Sequence, residues 1–313
     1  MTSKKIFSAF FIAFVFSANA QLLTQEDQFT TSGGLNSGSV LSGIGANTFY
    51  GFEAGQFVTP DGYSNTFMGH QAGVLTSRSN SNVFVGAMAG QTNVKGSFNI
   101  FVGTFAGRLN NSDHGSNVMI GHGAGVNNTS GCCNTFLGHT AGQNSTGAGN
   151  VFIGGNAGAN EALRSDQLYI ANTDTHTPLI YGDFRKNKIG IGGFSTFPIL
   201  NNVNINAYTL FVKGGILTEE VRVRDDGTWL WADYVFTPDY KLPSLSEVEK
   251  YIAENGHLEN VPSAQTVKEN GIELSEMARI QMEKIEELTL YLIQQNKEIE
   301  TLKAQVSVLL AKK

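Results

Sequence analysis

The sequence predicts a mainly β protein: a repetitive β-roll or β-solenoid, then a β-rich shaft of short strands, a small α/β module and a C-terminal α-helical coiled coil. Three observations lead there. The motif Asn-[Thr/Val/Ile]-[Phe/Met]-x-Gly-x-x-Ala-Gly begins at Asn47, Asn65, Asn82, Asn99, Asn117, Asn134 and Asn150, at intervals of 16 to 18 residues. Self-similarity at a fixed short period marks stacked repeats that bury a continuous core between neighbours. Asp, Glu, Lys and Arg are nearly absent from that region, being limited between Asn47 and Gly158 to Glu53, Asp61, Arg78, Lys95, Arg108 and Asp113. From Glu273 onward charge is dense and alternates in sign. The chain therefore contains at least two physically different regions.

Residues 1–20 read as a secretory signal peptide. Lys4 and Lys5 precede an apolar stretch from Ile6 to Phe16, and Ser17-Ala-Asn-Ala20 offers a small-residue cleavage site before Gln21. The apolar stretch is short for a membrane span, and no later segment resembles one, so stable membrane insertion is not expected. The expected location is secreted or at the cell surface. Residues 21–46 form an N-terminal linker or cap. A formal net charge of −6 gives no reason to expect nucleic acid as a partner.

The seven repeats fill residues 47–160. In Asn134-Thr-Phe-Leu-Gly138-His-Thr-Ala141-Gly142, the triplet Thr135-Phe136-Leu137 is a β-prone run bounded by Asn and Gly. Alternation sends Phe136 to one face and its neighbours to the other. Most copies are apolar on both faces, as in Val83-Phe84-Val85, Ile100-Phe101-Val102 and Val151-Phe152-Ile153. One face suits the interior of a coil and the other suits a neighbouring chain. The Ala-Gly pairs permit close backbone approach. The repeated Asn is placed to stack on its equivalent in the next rung or to form an Asx turn at a corner. A rung this short is expected to be finished by sister chains, which points to a homotrimer. Seven rungs would extend about 34 Å. The seven to nine residues between motifs read as variable outward loops, either solvated turns or the seat of binding.

No catalytic, cofactor-binding or metal-binding residue is assigned. Cys132 and Cys133 are adjacent; they read as two thiols or as an inter-chain pair. His122 and His139 lack a recognisable metal-ligand spacing. A calcium β-roll needs a regular Asp, and Asp61 and Asp113 are isolated. An ice- or mineral-binding face needs a Thr ladder, whereas Thr follows the motif Asn only at Thr48, Thr66 and Thr135. A glycosidase needs two flanking carboxylates, for which the rod offers only Glu53 and Asp61.

The shaft, 161–224, is expected to hold strands at Leu168–Ile170, Leu179–Tyr181, Lys188–Gly192 and Tyr208–Val212. Gly190-Ile-Gly-Gly193 lacks nucleotide-loop spacing and reads as a turn. The module, 225–271, opens on Trp229-Leu-Trp-Ala-Asp-Tyr-Val-Phe236, whose tryptophans read as core or, less simply, as a sugar platform. Ser244 with Glu247 forms a capping box for a helix from Leu245 to Asn255, and Gly256 ends it. In 272–313, heptads place Ala278, Ile285, Leu292, Ile299 and Val306 at a, and Gln281, Leu288, Gln295, Leu302 and Leu309 at d. A sustained a/d seam of this kind is a coiled-coil signal.

The Asn-Thr-Phe-x-Gly-x-x-Ala-Gly copies, from about 40 to 160, resemble the left-handed β-roll head repeats of trimeric autotransporter adhesins and repeats in surface proteins of Bacteroidota. Pro178–Phe184, Lys188–Gly192 and Leu210–Gly215 resemble shaft segments before phage tail-fibre-type tails in that group. Trp231–Phe236, Tyr240–Glu249, Asn255–Leu258, Val261–Ser263 and Lys284–Leu288 look like the endosialidase-type intramolecular chaperone domain, also classed as peptidase S74-like. That resemblance implies trimer assembly followed by self-cleavage at a Ser-Asp pair. The counterpart here is Pro238-Asp239-Tyr-Lys241-Leu242, and a proline has no hydroxyl to act as nucleophile. The expected function is a secreted structural or adhesive fibre, homotrimeric, with a C-terminal trimerisation or intramolecular chaperone module, itself its own partner, with a glycan or cell-surface ligand. The alternatives are a self-cleaving tail-fibre protein and a glycan-degrading tail-spike-like enzyme.

Overall fold

The computed structural model describes residues 30–39, 45–199, 203–224 and 231–311. The expected signal peptide and Trp229 lie outside the described residues. The chain divides into two units, 1–198 with 206–216, and 199–205 with 217–313.

The first unit is a β-solenoid. Twelve strands form one sheet in simple sequence order. Strand β1 is Thr31–Gly33, and the motif strands follow as β2 (Thr48–Tyr50), β3 (Thr66–Met68), β4 (Val83–Val85), β5 (Ile100–Val102), β6 (Val118–Ile120), β7 (Thr135–Leu137) and β8 (Val151–Ile153). Each pairs in parallel with the next, and equivalent motif positions face each other, as in Phe67↔Phe84 and Phe84↔Phe101. Thus β1 supplies a rung ahead of the first motif, within the stretch read as linker or cap. Strands β9 (Gln167–Ile170), β10 (Ile180–Asp183), β11 (Lys188–Ile191) and β12 (Leu210–Val212) lie where the shaft strands were expected. They continue the same sheet: β8 pairs with β9 in parallel, and β9–β10–β11 are antiparallel.

The core is a column of identical positions. Phe49, Phe67, Phe84, Phe101, Met119, Phe136, Phe152 and Tyr169 have no exposed surface, and the motif alanines from Ala54 to Ala157 are equally buried. Adjacent rings stack with centroids 4.6 to 5.1 Å apart in Phe49–Phe67, Phe67–Phe84, Phe84–Phe101 and Phe136–Phe152. The spacing follows from the strand separation of a sheet, which sets neighbouring rungs about 4.8 Å apart. Such pairs add about 0.5–1.5 kcal/mol beyond area burial.

Both motif glycines have a steric reason. Gly103 has φ +133°, and a Cβ there would lie 2.5 Å from the Gly121 carbonyl oxygen of the next rung. Gly107 has φ +54°, and a Cβ there would lie 2.6 Å from the Phe101 ring.

The motif asparagines are buried and act as a ladder. Each Oδ1 accepts the backbone N–H of the next: Asn65 to Asn47 at 2.9 Å, Asn82 to Asn65 at 3.1 Å, Asn99 to Asn82 at 2.8 Å, Asn117 to Asn99 at 3.0 Å, Asn134 to Asn117 at 3.0 Å and Asn150 to Asn134 at 2.9 Å. Nδ2 donates to a carbonyl near the end of the same rung, as in Asn47 to Gly62, Asn65 to Ser79, Asn117 to Gly131 and Asn134 to Gly147. Expected stacking is found, but the Asn is not itself the left-handed corner. That conformation falls on the residue before it: Ser64, Ser81, Phe98, Ser116 and Cys133 have φ between 57° and 62°.

These bonds correct the argument that sister chains must finish the rung. The amide ties the beginning of a rung to its end, and the Phe column is fully covered within one chain. A neighbouring chain is not needed for the interior and has only outer faces to cover. The inter-motif segments are also more regular than loops. They form a second wall of backbone bonds between rungs, including Thr92 N–H to Arg108 O at 3.0 Å, Leu109 N–H to Val126 O at 3.0 Å and Asn127 N–H to Gln143 O at 2.9 Å.

Replacing Phe101 by Ala removes a ring from mid-column and is expected to cost about 3–5 kcal/mol. Chemical denaturation followed by far-UV circular dichroism measures this; a loss under 1 kcal/mol would mean the column is not load-sharing.

Candidate functional surfaces

The rod presents two kinds of outer surface. On the strand face, the first and third residues of each strand point away from the Phe column. They form two columns containing Thr48, Thr66, Val83, Ile100 and Val118 on one side and Tyr50, Met68, Val85, Val102 and Ile120 on the other. No charged side chain interrupts them from β2 to β8. Tyr50, Met68, Val83, Ile100 and Leu137 are exposed. The second column is free of Thr and runs unbroken from Tyr50 to Ile153, an apolar stripe of a kind unusual on a surface that meets only water.

Elsewhere the rod mixes exposed apolar residues such as Phe57, Leu75 and Phe98 with polar side chains that bond from rung to rung. Gln71 Nε2 donates to Glu53 at 2.7 Å, Gln91 Nε2 to Gln71 at 3.2 Å and Arg108 Nε to Gln91 at 2.9 Å. Farther along, Asn127 Nδ2 donates to Asn144 at 2.7 Å and Asn144 Nδ2 to Asn160 at 3.2 Å. His122 and His139 stack at 5.3 Å on the same surface. The sequence carries a signal for some of these ladders, since His122 and His139, and Asn127, Asn144 and Asn160, recur at the rung period.

The residues weighed for catalysis are dispersed. Glu53 sits at a left-handed corner with φ 55° and accepts from Gln71. Asp61 is exposed in the following turn. Cys132 is half-buried and Cys133 exposed, both as free thiols. Burial, with a contribution from Cys133, raises the Cys132 thiol pKa. Among the described residues no group of three or more His, Cys, Asp and Glu is arranged to hold a metal.

The second unit is organised by one long helix. Among the described residues from Trp231 to Asn270 the module is helical, with no strand, in contrast to the expected α/β arrangement. A 3-10 turn spans Ala232–Phe236, α1 spans Leu245–Asn255, α2 spans Ala264–Asn270 and α3 spans Leu274–Ala311. The capping box at Ser244 and Glu247 is present, and Gly256 ends α1 at φ 74°. Trp231 is exposed, so the module core falls instead to Ala232, Val235 and Ile280. The chain is small in apolar content here, and hydrogen bonds from tyrosine to glutamate take over. Tyr234 donates to Glu283, Tyr240 donates to Glu287, and Tyr291 donates to the Pro243 carbonyl at 2.6 Å. Lys284 lies 2.9 Å from Glu283 and 3.1 Å from Glu287, and Arg279 lies 3.1 Å from Glu283.

The segment Pro238–Leu242 runs from the 3-10 turn towards α1. Pro238 and Asp239 are exposed, while Tyr240 anchors the segment to α3 through Glu287. Lys241, Leu242, Tyr251, Leu258, Lys284 and Glu287 contribute to a cavity of about 400 Å³.

The orientation of α3 is the most informative feature of this unit. Its buried residues are Ile280, Glu283, Glu286 and Glu287. The heptad seam turns the other way: Ile285, Leu288 and Leu292 are exposed beside the module, as are Ile299, Leu302, Val306 and Leu309 beyond it. Among the described residues no helix is long and apolar enough to cross a membrane. No family profile, curated protein or solved structure matches this chain.

Glu283 is expected to make the module pH-sensitive. Burial disfavours its charged form, but hydrogen bonds from Tyr234, Lys284 and Arg279 and the charge of Lys284 outweigh that penalty and hold its pKa below the ordinary carboxylate value. A lowered folded-state pKa contributes stability that is full above the unfolded value, about 4.3, and is lost as pH falls through the folded value. The thermal midpoint of the helical signal should therefore drop below about pH 4. Glu283→Gln should lower the midpoint at neutral pH and flatten the acid dependence. An acid profile identical in the variant would remove Glu283 from this role.

Proposed function

We propose that this chain is a secreted structural or adhesive fibre protein that assembles as a homotrimer through α3. The observation that carries the reading is the unpartnered heptad seam. Helix α3 binds its own module through Glu283 and Glu287, which accept from Tyr234 and Tyr240, and its apolar a/d residues are left facing outward. A helix packed only within its own chain would bury its apolar positions and expose its glutamates. Here the reverse holds, which favours partner helices that supply the missing apolar surface.

The rod supports the same reading. It is a rigid, low-charge scaffold with an apolar stripe on the strand face, suited to lie against sister rods held close by the tail. Its polar ladders present repeated amides, suited to a glycan or cell-surface ligand. The resemblance to adhesin head repeats favours adhesion, and the resemblance to the S74-like chaperone module favours assembly of three chains. Pro238 stands where that module's nucleophile is expected, so assembly without self-cleavage is the form proposed. Secretion rests on the leader read in residues 1–20.

Light scattering on the full mature chain, from Gln21, tests this. The expected mass is three times that of one chain, and Ile285→Asp with Leu292→Asp should reduce it to one while the β signal of the rod persists. A monomeric wild type, or a double variant of unchanged mass, would discard the seam as the assembly surface. On a denaturing gel the mature chain should migrate as a single band; a break near Asp239 would restore the self-cleaving alternative.

A further inference from the structure

Cys132 and Cys133 are the chain's two cysteines, and both are free thiols. They occupy the corner ahead of the sixth motif, where the coil turns into β7. Backbone bonds fix both residues in the stack. The Cys133 N–H donates to the Gly115 carbonyl at 3.1 Å, and the Cys132 carbonyl accepts from the Gly149 N–H at 3.0 Å. Cys132 is half-buried and Cys133 exposed, with the two thiols in hydrogen-bonding contact.

This geometry disfavours a bond between the two within one chain. Adjacent Cα atoms lie about 3.8 Å apart across a trans peptide, whereas a disulfide usually places its Cα atoms about 4.4–6.8 Å apart. The two rung bonds leave the backbone little room to adjust, and Cys133 is already held at φ 62°.

The corner itself is unlike one built to face water. Equivalent positions in earlier rungs are Ser64, Ser81, Phe98 and Ser116, all left-handed. At Phe98 that conformation carries a bulky ring, where such residues are uncommon, and the ring is 64% exposed. No residue of this column from Ser64 to Gly149 is charged, nor is any in the column one place earlier, from Tyr63 through Asn80, Ser97 and Gly115 to Cys132. Each corner residue stands two positions ahead of its strand, so the column runs beside the apolar strand face. An uncharged edge of mostly small residues, with one ring turned outward, suits close approach by the same edge of another copy.

We propose that Cys132 of one chain is joined by a disulfide to Cys133 of the next, three such bonds closing a covalent ring around the assembly at this rung. The proposal rests on the three-chain reading above. In a three-fold ring each neighbour contact is head-to-tail, so residue i of one chain meets residue j of the next until the ring closes. One cysteine per chain can link only two chains; two adjacent ones are the minimum for closing three. Association through α3 supplies the high effective concentration that makes the pairing intramolecular in kind. The oxidant is a disulfide of the extracytoplasmic compartment, where such bonds persist. The exposed Cys133 thiolate attacks one sulfur of the oxidant and releases the other as a thiol. Cys132 of the next chain then attacks Cys133 Sγ and releases the second oxidant thiol. Each bond thus consumes two protein thiols and one oxidant disulfide and yields two oxidant thiols.

The test uses the full mature chain from Gln21, incubated with oxidised glutathione, alkylated with N-ethylmaleimide and run on a non-reducing denaturing gel beside light scattering of the native sample. The expected band has three times the mass of one chain, carries no maleimide and collapses to one chain with reductant. Cys132→Ser and Cys133→Ser, which place at the corner a residue these columns already hold at Ser97 and Ser64, should each lose the trimer band while light scattering still gives three chains. A native trimer that runs as single chains, or as covalent dimers, overturns the ring and leaves the α3 assembly standing. A single-chain band lighter by two hydrogens and free of maleimide would show the bond inside one chain and overturn it equally. A native monomer removes the assembly and the ring together.

Discussion

The amide of each motif asparagine makes bonds with two different consequences. Its oxygen takes the backbone N–H of the following asparagine, which fixes the register between rungs. In Asn47, Asn65, Asn117, Asn134 and Asn150 the nitrogen reaches a carbonyl near the end of the same rung, which closes the coil. Both atoms are buried, where an unmade bond costs about 1–3 kcal/mol, so the position tolerates few alternatives. Asp would lose the donor, Leu both partners, and Gln would place the amide one methylene too far. The stacked Phe column and the glycine corners are arranged around a coil that this side chain holds shut.

Much of the rod was legible from the repeat. The period, the β-prone triplet, the inward Phe and the stacked Asn all follow from residues read one motif at a time. What local reading missed was closure. The view that a 17-residue rung needs sister chains treated the inter-motif segments as loops, because Gln91–Phe98 or Gly107–Ser116 has no strand-like alternation. Their backbone bonds are instead made to the rung above, a long-range property without a local signature. The same limit applies to the tryptophans. Aromatic content suggested a core, but Trp231 is exposed, and the smaller Ala232 and Val235 meet α3.

In the second unit the heptad pattern located the seam, and the capping box located α1, because both depend on spacing along one helix. The contacts on the other side of α3 could not be read that way. Tyr234, Tyr240 and Tyr291 are widely separated in sequence from Glu283, Glu287 and their other partners, and only folding joins them. The result is a division of labour around one helix. Hydrogen bonds and charge hold the module to α3, leaving its apolar a/d side exposed. Substitutions on the two sides are thus expected to separate folding of the unit from the assembly proposed for it.

The inter-rung bonds have a further consequence when the chain is pulled. Between parallel strands the backbone hydrogen bonds are evenly spaced and slanted but cross from strand to strand, so in this solenoid they run mainly along the stacking direction. Tension applied through the chain ends loads them as a zipper, one rung boundary at a time, instead of shearing many together. Each rung that peels away frees about 17 residues, or roughly 55 Å of extended chain. The body can therefore yield to force in small equal steps while the remaining rungs keep their closed interiors, because each is tied to itself as well as to its neighbours.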